Sequence, residues 1–131
     1  MSQAPRRSIE IEGHDHRDLP IPAASRVGPL VATGGVRGVD RTTGVIPPEI
    51  DQQIELMFAN LRAIIEAAGA SCEEIAKVTI WVKSANARAL INKEWIAMFP
   101  EPGSRPARHI LTYDLPGQML VQCEALAYTG G

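Results

Sequence analysis

The hydrophobic period of this chain changes sharply just after Pro47 and Pro48. From there Ile54, Met57, Phe58, Leu61, Ile64, Ile65 and Ala68 follow helical spacing, and Gly69 stands where a C-terminal cap belongs. Such a stripe occupies one face of an α-helix, and that face must be buried. Immediately afterwards, from Ile75 to Lys83, the period falls to two. Val78, Ile80 and Val82 take one face of the predicted strand, while Lys77, Thr79, Trp81 and Lys83 take the other.

The remaining segments fit around this helix and strand. Ser8 to Ile11 alternate as an opening strand does, and a loop broken by Gly13 and Pro20 follows. Leu30 to Thr33 is a short buried strand stopped by Gly34 and Gly35, a glycine pair that lets backbone approach something closely. Past the polar turn VDRTTG and the long helix, Ser84 or Asn86 can cap a second helix running to about Phe99. Its apolar stripe is Leu90, Ile91, Met98 and Phe99. Two more strands are predicted near Ala107 to Tyr113 and Met119 to Tyr128, joined as a hairpin by Asp114-Leu115-Pro116-Gly117. The order is α+β, with room for one further short strand before the first helix. Two helices cover only one face of such a sheet, so Trp81, Leu120 and Leu126 on the other faces call for a subunit partner.

Bulk properties narrow the function. At 131 residues and 14.2 kDa, the whole chain, 1–131, is expected to form one domain. Its apolar runs are too short to cross a bilayer and its first residues lack an apolar signal core, so a cytoplasmic protein without a membrane partner is expected. The formal net charge of -2 and pI near 5.9 speak against a nucleic-acid partner. Cys72 and Cys123 lie far apart and form no CxxC, so neither disulfide nor zinc is indicated. His14 and His16 lack a third ligand at metal spacing and read as surface histidines, so no metal is expected. No serine elbow, P-loop or dinucleotide fingerprint is present, and no cofactor is implied.

Two residues stand out as chemistry. Arg108 and Glu124 each lie eight residues from Pro116, so in the predicted hairpin they face each other on one side of the sheet. A structural cross-strand ion pair is one reading. The other is a functional site, because Glu124 sits in the mostly apolar stretch LVQCEALAY, where a carboxylate is costly unless paired or used. His109 follows Arg108 and points to the opposite face of an extended strand.

Taken together, ATGGV, TGVIP, ANLRAIIEAAGAS, IAKVTIWVKS, INKEWIAMF, RPARH and LPGQMLVQCEALA resemble, in order and spacing, the Rid (YjgF-like) superfamily, over nearly all the chain from Leu30 onward. The resemblance implies a chorismate-mutase-like α+β subunit of βαβαββ type, with a sheet packed against two helices. It also implies a homotrimer with inward-facing sheets and clefts between neighbouring subunits. It makes Arg108 the clamp for a substrate carboxylate, a task suited to a planar guanidinium. Glu124 becomes the residue that positions or activates the attacking water. Thr33 and the backbone near Gly34 become cleft wall, and Asn92 a supporting polar group with a helix-surface role as its alternative.

The chain departs from the best-known subgroup of that superfamily. IPAASRVGPL stands in place of an IGPYSQ-like motif, without its tyrosine, and Ile110 replaces a cysteine. Ser25 or Arg26 could supply a polar group there, or simply lie on the surface. The expected activity is hydrolysis of a small carboxylate-bearing imine or enamine to a 2-oxo acid and ammonia, like that of a 2-iminobutanoate/2-iminopropanoate deaminase. The alternative is a trimeric binding or regulatory protein that uses the same cleft without turnover. Ribonuclease activity fits poorly, since no basic and aromatic groove is apparent.

Overall fold

The computed structural model describes residues 5–14, 16 and 19–130. Seven strands form one sheet: β1 (Arg6–Ile9), β2 (Ala24–Val27), β3 (Leu30–Thr33), β4 (Val36–Arg37), β5 (Ile75–Val82), β6 (Ala107–Thr112) and β7 (Val121–Tyr128). The helices are α1 (Ile50–Ala67) and α2 (Arg88–Met98), the latter preceded by a 3₁₀ turn at Ala85–Ala87. Strand order is β1-β2-β3-β7-β5-β6, with β4 also paired to β7. The expected α+β sheet with two helices is what the chain forms.

Helix α1 ends as its sequence requires. Gly69 adopts φ 85°, its N–H bonds the Glu66 carbonyl, and the Ala70 N–H bonds the Ile65 carbonyl. This is a Schellman closure, which needs a left-handed residue at the glycine position. The Ala68 carbonyl is taken by Arg26, whose Nη1 donates to it at 2.7 Å while Nε reaches Gly28 and Nη2 reaches Thr129 Oγ1. Arg26 therefore ties β2, the end of α1 and the C-terminal stretch together rather than furnishing a pocket.

Ile54, Met57, Leu61, Ile64 and Ile65 of α1 are fully buried against Val78, Ile80 and Val82 of β5 and Val121, Cys123, Ala125 and Ala127 of β7. Each large side chain so buried stabilises the fold by about 1.5–3 kcal/mol. Ile75 joins this core despite its odd number, because a bulge between Ile75 and Lys77 resets the alternation. The opposite face has no helix. Val27, Leu30, Leu111, Leu126 and Tyr128 all emerge there at 45–55% exposure, and half-buried Trp81 shares it.

Two expectations are corrected. The segment read as a loop contains β2, which forms a hairpin with β3 around Gly28 at φ 56°. Four residues flanked by Pro20, Pro22 and Pro29 are too few to show alternation. More consequentially, β6 and β7 do not pair as a hairpin: β5 lies between them, parallel to β6 and antiparallel to β7. Strand β6 follows a helical crossover from β5, which returns the chain parallel and beside its starting strand. Strand β7, apolar along its whole helix-facing side, takes the centre, and mostly exposed β6 takes the edge.

Gln53 binds the loops to this frame. Fully buried on α1, it donates from Nε2 to the carbonyls of Pro47 and Gln118 and accepts at Oε1 from the Leu120 N–H. Gln53→Leu keeps the volume but orphans three backbone groups. We expect a loss of about 3 kcal/mol in urea unfolding with unchanged m. A loss below about 1 kcal/mol would show that the loops find other partners.

Candidate functional site

The register decides which side chains share a face. Arg108 lies opposite Val78, which lies opposite Ala125, so Arg108 is on the helix-covered side. Glu124 lies opposite Thr79, which lies opposite His109, so Glu124 and His109 are on the open side. Within one protomer the guanidinium and the carboxylate therefore point to opposite faces. The expected direct pairing fails because β5 intervenes, whereas the expected opposition of Arg108 and His109 is observed.

Arg108 is nevertheless unusual. Its guanidinium carbon sits 4.9 Å from the centre of the buried Trp95 ring on α2, a cation–π stack. Among the described residues it forms no ion pair and no hydrogen bond. Burial, and then the positive charge of Arg88, hold its pKa below the usual arginine value. An arginine keeps its charge all the same, so the β6 edge presents a held cation, with another beside it and no counter-charge. That arrangement favours an anion.

The other candidates fall as follows. Thr33 is half-buried and committed at both ends: its hydroxyl donates to the Gly34 carbonyl at 2.8 Å and accepts from the Ala125 N–H at 2.9 Å. The Gly34 N–H is bound to the Ala23 carbonyl. Both act as joints between β3, β7 and the stretch before β2. Asn92 is exposed on α2, the helix-surface position that was its alternative. Glu124 is exposed in the isolated protomer.

Beside Gly34 lies a cavity of about 380 Å³ lined by His16, Leu19, Ile21, Gly35, Arg37, Met119 and Gln122. Gly35, Arg37 and Gln122 come from the β4–β7 pair, in which Arg37 lies directly opposite Gln122. A Cβ at Gly35 would collide with the Gln122 amide, so of the two glycines it is Gly35 that serves a close approach, against a side chain. Met119 is held by the bonds of Gln53 to the residues on either side of it. Gln122 and Glu124 share the open face two residues apart, about 7 Å along the strand. Gln122 lay within reach of sequence reasoning, since period two puts it on the face of Glu124. Arg37 offered no such signal.

His14 overturns the expectation of a surface residue: it is 0% exposed. Its Nε2 accepts from the Arg37 N–H at 3.0 Å, and Nδ1 makes no hydrogen bond to another described residue. Burial first, then the Arg37 charge, lower its pKa to about 4. His16 meets it edge-on at 6.0 Å, and among the described residues no group of three or more metal-binding side chains is found.

Residues 21–129 match the family profile described as endoribonuclease L-PSP. The chain belongs to that family, the YjgF/RidA group. It is 34% identical over 103 residues to a 2-iminobutanoate/2-iminopropanoate deaminase of Salmonella typhimurium, covering 77% of this chain and 80% of that one. The fold superposes on a putative endoribonuclease of Thermotoga maritima with TM-score 0.87 at 28% identity, over 95% of this chain and 98% of the other. It also matches Escherichia coli TdcF with bound serine, with TM-score 0.86 at 29% identity over 95% and 99% of the two chains.

The paired glycines give a controlled test of the cavity. Gly35→Ala must push the Gln122 amide aside, whereas a Cβ at Gly34 meets only carbonyl oxygens at ordinary distances of 3.5 and 3.6 Å. We expect Gly35→Ala to shift the Gln122 side-chain amide resonances strongly and lower stability by about 1–2 kcal/mol. Gly34→Ala should leave those resonances in place. Equal behaviour of the two variants would contradict the cavity wall described above.

Proposed function

We propose that the protein hydrolyses small imines or enamines bearing a carboxylate, releasing a 2-oxo acid and ammonia. The observation that carries this reading is the uncompensated Arg108 guanidinium, stacked on Trp95 at the edge of the sheet. Its planar donor fork suits a carboxylate through two parallel hydrogen bonds. The deaminase name of the Salmonella relative and the serine bound to TdcF, itself a small carboxylate, support it.

The reaction needs little machinery. Water adds to the C=N carbon, the nitrogen gains protons, and the C–N bond breaks as the carbonyl forms. Overall, imino acid and water become 2-oxo acid and ammonia, with no redox change. A carboxylate that orients the water and takes its proton suffices, and Glu124 is our choice for that role. Because Arg108 and Glu124 point to opposite faces of one protomer, both can reach one substrate only at a boundary between copies. We therefore place the site between subunits of a homotrimer whose open sheet faces meet, with the Gly35–Gln122 wall on one side and the neighbour's Arg108 on the other. Cytoplasmic location accords with this role, and among the described residues no helix is long and apolar enough to cross a membrane.

The test is ammonia release from 2-iminobutanoate and 2-iminopropanoate generated in the cuvette by an amino-acid oxidase. The parent should accelerate hydrolysis, and Arg108→Ala should lose about 100-fold in kcat/KM, chiefly through KM, with Arg108→Lys intermediate. Glu124→Gln should lower kcat by about 100-fold. An Arg108→Ala enzyme as active as the parent would remove the anchor. Tight 2-oxo acid binding without turnover of either imine would instead make the protein a binding module.

A further inference from the structure

We propose that His14 is a positioning residue: its neutral imidazole latches the N-terminal stretch onto β4, seating the wall of the cavity that His16, Leu19 and Ile21 supply, so that acidification loosens the cavity. This rests on the reading of that cavity as part of the substrate site. The latch itself rests on contacts independent of that reading.

Among the described residues, the stretch from Ile9 to the cavity wall is held at a few points. Ile9 is buried in the core, and the Glu10 carboxylate accepts from the Ala23 N–H at 3.3 Å. Gly13, at φ 81°, lies so close to Arg41 that a side chain there would strike its backbone, and Arg41 Nη1 donates to the Glu12 carbonyl at 3.0 Å. Among the described residues, the last attachment before the wall is His14, bridged to Ile11 across a tight turn and fully buried, with Nε2 on the Arg37 N–H. Arg37 lines the cavity and holds His14 with its backbone N–H. One residue thus connects the latch to the site.

The chemistry of the bond makes it conditional. Nε2 accepts only while it is unprotonated, which puts the neutral ring's proton on Nδ1. A second proton would set N–H against N–H and bury a cation. Among the described residues, the charged and titratable groups around it are Arg37 on β4, Arg41 in the following turn and His16 on its own segment, all of which oppose that proton. Glu10 and Glu12 lie on the same stretch; the Glu10 carboxylate accepts from the Ala23 N–H, whereas Glu12 meets Arg41 through its backbone carbonyl.

The sign follows. The folded-state pKa, about 4, lies below the 6.5 of an unburied histidine. The closed latch is therefore fully favoured above pH 6.5 and loses ground as pH falls from there toward 4. Between pH 7 and 5 the opening equilibrium should rise by about twentyfold.

Amide hydrogen exchange at Arg37, corrected for the intrinsic pH dependence of exchange, reads this opening directly. The parent should show the rise, whereas His14→Gln, whose amide oxygen can accept the same bond without titrating, should stay protected at both pH values. His14→Leu, with no acceptor, should exchange fast even at pH 7. In parallel, 2-oxobutanoate should bind the parent more weakly at pH 5 than at pH 7 but bind His14→Gln equally at both, with KM rather than kcat carrying the change in turnover. Arg37 protection that is the same at pH 7 and pH 5 in the parent overturns the proposal, and so does a pH dependence that persists in His14→Gln, because it would belong to Glu10 or another group. If the variants do not fold, exchange in the parent decides alone. If the parent neither binds 2-oxobutanoate nor releases ammonia, the functional reading fails while the exchange data still judge the latch.

Discussion

Strand β7 is the member on which the rest of this structure depends. It pairs with β3, β4 and β5 and so joins the two halves of the sheet. Val121, Cys123, Ala125 and Ala127 are buried beneath the helices, and between them Gln122, Glu124, Leu126 and Tyr128 occupy the other face. Strict alternation makes these two sets inseparable: a one-residue slip would put Glu124 under α1 and Cys123 in the open. The core that stabilises the fold therefore also fixes which polar groups face the cavity and the open sheet. Even the chemically quiet Cys123 takes part: burial raises its thiol pKa well above the ordinary cysteine value, so it fills space as a neutral thiol.

Much of this was legible because it is local. The helical period from Ile54 to Ala68, the capping glycine and the alternation of β5 each depend on neighbours within a few residues, and each was found where the pattern put it. What could not be read was which strand lies beside which. The turn-forming Asp114-Leu115-Pro116-Gly117 looks like a hairpin, and nothing nearby reveals that β5 already occupies the space between β6 and β7. The pairing is settled by the crossover through α2 and by the greater apolar character of β7, both of which are properties of the whole sheet.

The candidate site shows the same division. Arg108 and Glu124 stand out by their equal spacing from the turn, by the apolar setting of Glu124 and by the family resemblance, and the alternation of their strands is as expected, yet the direct pairing between them depends on a hairpin that does not form. His14 was misread for a different reason. In a run as polar as GHDHRD a histidine reads as surface, and burial is signalled only by the distant Arg37 N–H that receives it. A polar side chain buried around a single long-range hydrogen bond leaves no periodic trace.

The opposed directions of Arg108 and Glu124 bear on assembly as well as on chemistry. An isolated protomer leaves Leu30, Leu126, Tyr128 and Leu111 exposed on the same face as Glu124 and His109. In the proposed assembly, covering that face with another copy removes apolar surface from water and at the same time takes Glu124 out of bulk solvent. The cation on the β6 edge is already held by its stack on Trp95, so in the proposed site it is in place before a substrate carboxylate arrives. In the proposed assembly, then, the apolar surface that drives association also creates the desolvated, two-sided environment that neither residue has alone.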